Sequence, residues 1–226
     1  MKKKLLNILK TTILFLLLFT FTNLVINLFN INITKLTDIQ KYQISFYTDL
    51  VFLLILFLSY RQTIINDFKN FFKNFFTNLE IAFKYYLIGF IIMIISNFII
   101  IFIAQKGIAQ NEEAIRTLID IAPLYMIFST VIYAPFTEEL IFRKGFKDIF
   151  NNKRLFILAS GITFGALHVI SYITTPFDYI YLIPYCALGI SFAFMYNKTN
   201  NIFSSISMHL MHNSMAIILY LIGSVL

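Results

Sequence analysis

Two adjacent glutamates stand inside an apolar run, Ala134-Pro135-Phe136-Thr137-Glu138-Glu139-Leu140-Ile141-Phe142-Arg143, and an arginine follows the second at four residues. The three histidines of the chain, His168, His209 and His212, each lie within or beside a later apolar stretch. Ionisable groups at membrane depth are costly and mark functional sites. Two acids, an arginine and three imidazoles in such surroundings read as a buried active site. On a helix, Glu139 and Arg143 share a face in the favourable acid-first order, and an arginine that deep needs a partner. Glu138 points about 100° away and has no local countercharge. Glu139–Arg143 is therefore expected as a structural pair and Glu138 as the chemical group.

Other polar residues fall at matching depth. Glu138 lies 15 residues before Lys153, in a polar basic turn, and His168 lies 15 residues after it. Antiparallel helices of common rise bring the two level, with Phe164 one turn before His168 on the same face. In the last apolar stretch His209 and Asn213 share a face, and His212 sits on its flank as a packing residue. Glu138, His168, His209 and Asn213 can thus converge from three helices. This set matches a metal site with an open position for water, zinc or another divalent ion on Glu138, His168 and His209. It equally matches a metal-free site in which Glu138 activates water and His or Asn donors hold the oxyanion. Both versions hydrolyse an acyl bond. Neither H-E-x-x-H nor G-x-S-x-G occurs, Cys186 has no adjacent base, and Asp49 and Asp178 form no aspartyl pair in sequence.

The elements that must position these groups are membrane helices. The chain is 59% hydrophobic and 13% charged, against about 45–50% and about 25% for soluble domains. The expected architecture is an all-α polytopic bundle of about seven spans plus one interfacial amphipathic helix. The spans are expected over Thr11–Leu28, Ile44–Tyr60, Phe83–Ala104, Ile121 through the acidic motif, Leu155–Tyr172, Tyr179–Tyr196 and Ile202–Leu226. The first follows Lys2-Lys3-Lys4 but has no A-x-A-like cleavage site, and it reads as a retained span. Residues 1–120 form an N-terminal set of spans and connector, and 121–226 the catalytic core. With the N-terminus inside, 13 of the 18 Lys and Arg are cytoplasmic and four, Lys35, Lys41, Lys106 and Arg116, are outside. The positive-inside rule favours that orientation, and the net charge of +7 needs no nucleic acid. Phenylalanines at helical spacing in Arg61–Glu80 predict an amphipathic helix on the cytoplasmic leaflet. Glu112, Glu113 and Arg116 in the loop Gln105–Asp120 read as a solvated face.

Glu138-Glu139-x-x-x-Arg143, Phe164-x-x-x-His168 and His209-x-x-x-Asn213, in this order on separate spans, resemble the three motifs of the CPBP intramembrane proteases. These are also called the Abi or type II CAAX prenyl endopeptidase-like family. The resemblance covers about residues 121–220, and no motif position departs from the pattern. It implies a hydrolase, an endopeptidase often described as a metalloprotease, with its cavity open to the cytoplasm. Glu138 would activate water with help from His168, while His209 and Asn213 would be ligands or oxyanion donors. Glu139, Arg143 and Phe164 would support them. The implied partners are the lipid bilayer and a membrane-associated peptide or protein, in peptide processing or bacteriocin immunity. Abundant Phe, Ile, Asn, Lys and Tyr with no Trp match an AT-rich bacterial coding bias, where a prenylated substrate is not expected. The chain's own end, Gly223-Ser224-Val225-Leu226, has no CAAX cysteine. A non-catalytic membrane scaffold or immunity protein, and a proton-coupled transporter, are the other readings.

Overall fold

A computed structural model describes residues 2–223, and among them there is no strand. Six helices are long and apolar enough to cross a membrane: Lys2–Leu28, Asp38–Lys73, Phe75–Ile103, Lys153–Tyr172, Pro176–Thr199 and Ile202–Gly223. The fourth expected span is different in kind. From Pro123 to Ile149 the chain is helical throughout but irregular, as α5 (Pro123–Ile127), α6 (Ala134–Glu138) and α7 (Phe146–Ile149) joined by π-helical stretches Phe128–Tyr133 and Glu139–Gly145. Pro135 has no N–H to give to a regular ladder, and just before it the Ala134 N–H reaches back five residues to the Ser129 carbonyl. Such π turns are common at functional sites; here one begins at Glu139, immediately after Glu138.

The remaining elements are α1 (Lys2–Leu28), α2 (Asp38–Lys73), α3 (Phe75–Phe98), α4 (Gln110–Ile121), α8 (Lys153–Val169), α9 (Leu182–Thr199) and α10 (Ile202–Gly223). Thr37 and Gln40 form a capping box that starts α2. The expected short second span and separate amphipathic helix are corrected here. The span and the stretch 61–73 are one 36-residue helix bent at Tyr60, whose φ/ψ of −119° and 15° is non-helical, and the rest of the expected amphipathic stretch, from Phe75, belongs to α3. No Gly or Pro stops α2 before Asn74. Beyond the bend Phe68 and Phe72 are exposed while Phe71 is buried. The last span is described to Gly223; its expected continuation over residues 224–226, which includes the chain end without a CAAX cysteine, lies outside the described residues.

One core cluster joins Leu14 of α1 and Phe52, Leu56 and Tyr60 of α2 to Leu140, Ile141, Phe156 and Tyr196. It draws residues from both sides of position 120. One close helix crossing is that of α8 on α9. A Cβ on Gly161 would stand 2.6 Å from the Ile190 backbone nitrogen, and one on Gly165 2.6 Å from that of Cys186. Small residues four apart allow backbones to meet in this way where no hydrophobic driving force acts between helices. That contact holds α8, and with it His168, against α9.

Candidate active site

Glu138 ends α6, and its carboxylate projects towards α8 and α10. Oε2 lies 4.0 Å from His168 Nε2 and 3.9 Å from His209 Nε2. That oxygen is buried and accepts no hydrogen bond from the described protein atoms. A water about 2.8 Å from the oxygen and from either nitrogen, with an angle near 90°, fits these separations. The level placement of Glu138 and His168 expected from residue spacing is therefore observed.

Each imidazole is fixed through its other nitrogen. His168 Nδ1–H donates to the Phe164 carbonyl at 2.8 Å; a carbonyl only accepts, so the neutral ring presents an unprotonated Nε2 to Glu138. The ring also packs on Phe164, with centroids 4.5 Å apart, and stacks on Tyr185 at 5.2 Å. His209 Nδ1–H donates to Glu139 Oε1 at 3.0 Å, and its ring stacks on Phe192 at 4.9 Å.

Glu139 and Arg143 are fully buried, with Glu139 Oε2 3.0 Å from Arg143 Nε. Their approach is a charge contact off the line of a hydrogen bond. Arg143 Nη1 donates to Ser160 Oγ at 2.9 Å, and the guanidinium lies 4.7 Å from the Phe164 ring centroid. Glu139 thus does more than balance Arg143: its second oxygen holds His209. That link joins a residue to one 70 positions away, and nothing in the local sequence announces it.

Asn213 Nδ2 donates to the Thr130 carbonyl at 2.8 Å, tying α10 to the π stretch before Glu138. The amide has a second hydrogen, and Asn213 borders the same cavity of about 270 Å³ as Glu138, His168 and His209. His212 borders it too, with Nδ1 3.2 Å from Tyr86 Oη, in the flanking position expected. Asp49 is engaged by Tyr125 and Asp178 by Lys106, on separate elements. Glu112 and Arg116, read as a solvated face, are each at least a third exposed and also line the cavity from α4. They form an acid-first pair at 3.0 Å. Their spacing was visible in sequence, but the folding of α4 over the helix ends was not. Tyr185 was missed as well.

The histidine tautomers suit a divalent metal, whose imidazole ligands commonly donate the other N–H to a carboxylate or carbonyl. The spacing does not. Tetrahedral ligands about 2.0–2.1 Å from zinc stand about 3.3 Å apart, well inside the 3.9 and 4.0 Å found here. Among the described residues no group of three His, Cys, Asp or Glu is disposed to hold an ion.

Fold and site together define a multi-pass helical membrane protein with a partly buried glutamate facing two histidines. Residues 120–215 match the family model described as type II CAAX prenyl endopeptidase Rce1-like, which bears out the resemblance carried by the three motifs. The chain is 34% identical over 116 residues to "Putative membrane peptidase YdiL" of Bacillus subtilis, covering 50% of this chain and 44% of that protein. It is 26% identical over 153 residues to "UPF0177 protein YvdC" of Lactococcus lactis, covering 63% and 57%. A second Lactococcus lactis protein, "UPF0177 protein YxdF", is 33% identical over 78 residues, or 34% and 40%. The matched part spans about half the length of these relatives. No solved structure matches the chain.

Proposed function

We propose that this protein is an intramembrane endopeptidase that hydrolyses a peptide bond of a membrane-associated substrate with water activated by Glu138. One observation carries the reading. Glu138 has a buried oxygen without a protein hydrogen bond, set water-distance from two imidazole nitrogens on two other helices. Other buried polar atoms also lack a protein hydrogen bond, Tyr60 Oη, Asn78 Nδ2 and Ser204 Oγ among them, but the Glu138 oxygen is the carboxylate oxygen that faces two imidazoles across room for a water. The match to a type II CAAX prenyl endopeptidase-like model and to a relative named a membrane peptidase supports the same reaction class.

In this mechanism water donates one hydrogen to Glu138 and the other to an imidazole Nε2. Glu138 takes the proton as the water oxygen attacks the carbonyl carbon, and then delivers it to the leaving amine nitrogen. The second Asn213 hydrogen is a donor for the oxyanion, and His209, held through Nδ1 by the Glu139 carboxylate, borders the same space. Arg143 holds Glu139 in place. No step passes through a metal, because the donor spacing does not fit one. The charge bias of the loops supports a cell-membrane protein with its Lys2–Lys4 end towards the cytoplasm. The test is cleavage of a membrane-anchored peptide by purified wild type beside Glu138→Gln. Turnover by wild type alone supports the proposal, and equal turnover by both removes Glu138 from its role.

A further inference from the structure

The two ends of the bundle differ in ways that concern access to the site. His168 is 15 residues from the first residue of α8, about 22 Å along the helix, but one residue from its last, Val169. The end of α8 at Val169 is the end of the bundle where α4 lies; His209, 3.9 Å from Glu138, is seven residues from the start of α10 and 14 from Gly223, so the reactive centre lies between the ends. Towards the other end it is sealed: Glu139, Arg143, Phe142, Phe156 and Ile202 are each at most 2% exposed. The cavity around Glu138 instead runs up to Glu112 and Arg116 of α4 and to Ala216 and Tyr220 late in α10. There it adjoins a second cavity of about 590 Å³ that shares those four residues and reaches Gly107 and Ile108 before α4.

The charges are divided between the same two ends. By chain connectivity, the 13 Lys and Arg of the expected cytoplasmic set fall in the turns and helix halves towards the sealed end. The α4 end has four, Lys35, Lys41, Lys106 and Arg116. The positive-inside rule puts the sealed end in the cytoplasm, and so puts the cavity mouth outside.

Resting on the peptidase reading above, we infer that the active-site cavity opens on the extracytoplasmic face beneath α4. Its substrate is then a membrane-anchored peptide whose scissile bond lies at the outer surface, such as an exported peptide or the outer flank of a membrane span. This is the opposite side from the one that the family resemblance implies. A cytoplasmic C-terminal peptide has no route to Glu138 through the sealed end.

The experiment places a thiol in the cavity wall and asks from which side it reacts. In a Cys186→Ser background, Ala216→Cys is exposed to a membrane-impermeant methanethiosulfonate added to intact cells or, separately, to inside-out vesicles. Ala216 borders both cavities and takes no part in the proposed chemistry. Asn111→Cys on α4 and Asn151→Cys in the basic turn report the two ends of the bundle, and Ser129→Cys replaces Ala216→Cys if that variant does not accumulate. The expected result is reaction of Ala216→Cys and Asn111→Cys in intact cells and of Asn151→Cys in inside-out vesicles. Reaction of the cavity thiol only from the cytoplasmic side, or from neither side, overturns the inference. Labelling requires no turnover, so either result leaves the peptidase reading intact. Conversely, a wild type that cleaves nothing, labelled from outside as expected, would defeat the peptidase reading alone.

Discussion

Glu138 and Glu139 are neighbours in sequence with opposite expected contributions to stability. Glu139→Ala orphans a guanidinium that is fully buried and 3.0 Å from the lost carboxylate. Breaking a buried pair from one side costs about 3–5 kcal/mol. The same truncation removes the acceptor of His209 Nδ1–H, worth about a further 1 kcal/mol. Glu138→Ala removes a carboxylate oxygen that makes no protein hydrogen bond, so little is lost. A chain of this size shifts its midpoint by about 2–4 °C per kcal/mol. Glu139→Ala should therefore lower the melting temperature by roughly 8–24 °C, and Glu138→Ala should melt close to wild type. The assay is stepwise heating of protein in detergent or nanodiscs, followed by size-exclusion chromatography of the fraction still monodisperse. Equal melting of the two variants would refute the division of roles, as would a destabilised Glu138→Ala beside a native-like Glu139→Ala.

Gly165→Leu should force α8 from α9, since even a Cβ there would meet Cys186 Sγ at 2.5 Å; both melting temperature and turnover should fall, and an unchanged variant would show that the close crossing does not position His168. Asn213→Ala should reduce turnover by about 10²-fold or more if its amide donates to the oxyanion. A small loss of stability with full turnover would leave it only the bond to Thr130. Dialysis against EDTA should leave turnover unchanged, and a loss restored by zinc would show that the histidines close on an ion.

Much of the site was legible because helical spacing converts directly into faces and depths. The i,i+4 relation paired Glu139 with Arg143, and equal distances from Lys153 put Glu138 level with His168. Charge and hydropathy indicated membrane helices, but not their breaks. The π stretches around Glu138 depend on how Pro135 and its neighbours redistribute backbone bonds, which a residue pattern at 3.6 per turn does not show. The second span was read too short because the charges after Tyr60 look like a boundary, whereas the helix bends there and continues. Contacts between distant segments were invisible. Glu139 to His209, Tyr185 on His168 and α4 over the cavity depend on which helix ends meet, and no local spacing encodes that.

The most direct test of the central claim is cleavage of membrane-anchored peptides in proteoliposomes containing purified wild type or Glu138→Gln, carried out in ¹⁸O-water with products read by mass spectrometry. The account predicts one new carboxylate carrying a single ¹⁸O in the wild-type sample, and none with a Glu138→Gln protein that melts like wild type. Cleavage of similar extent by both proteins, or products without ¹⁸O, would contradict it.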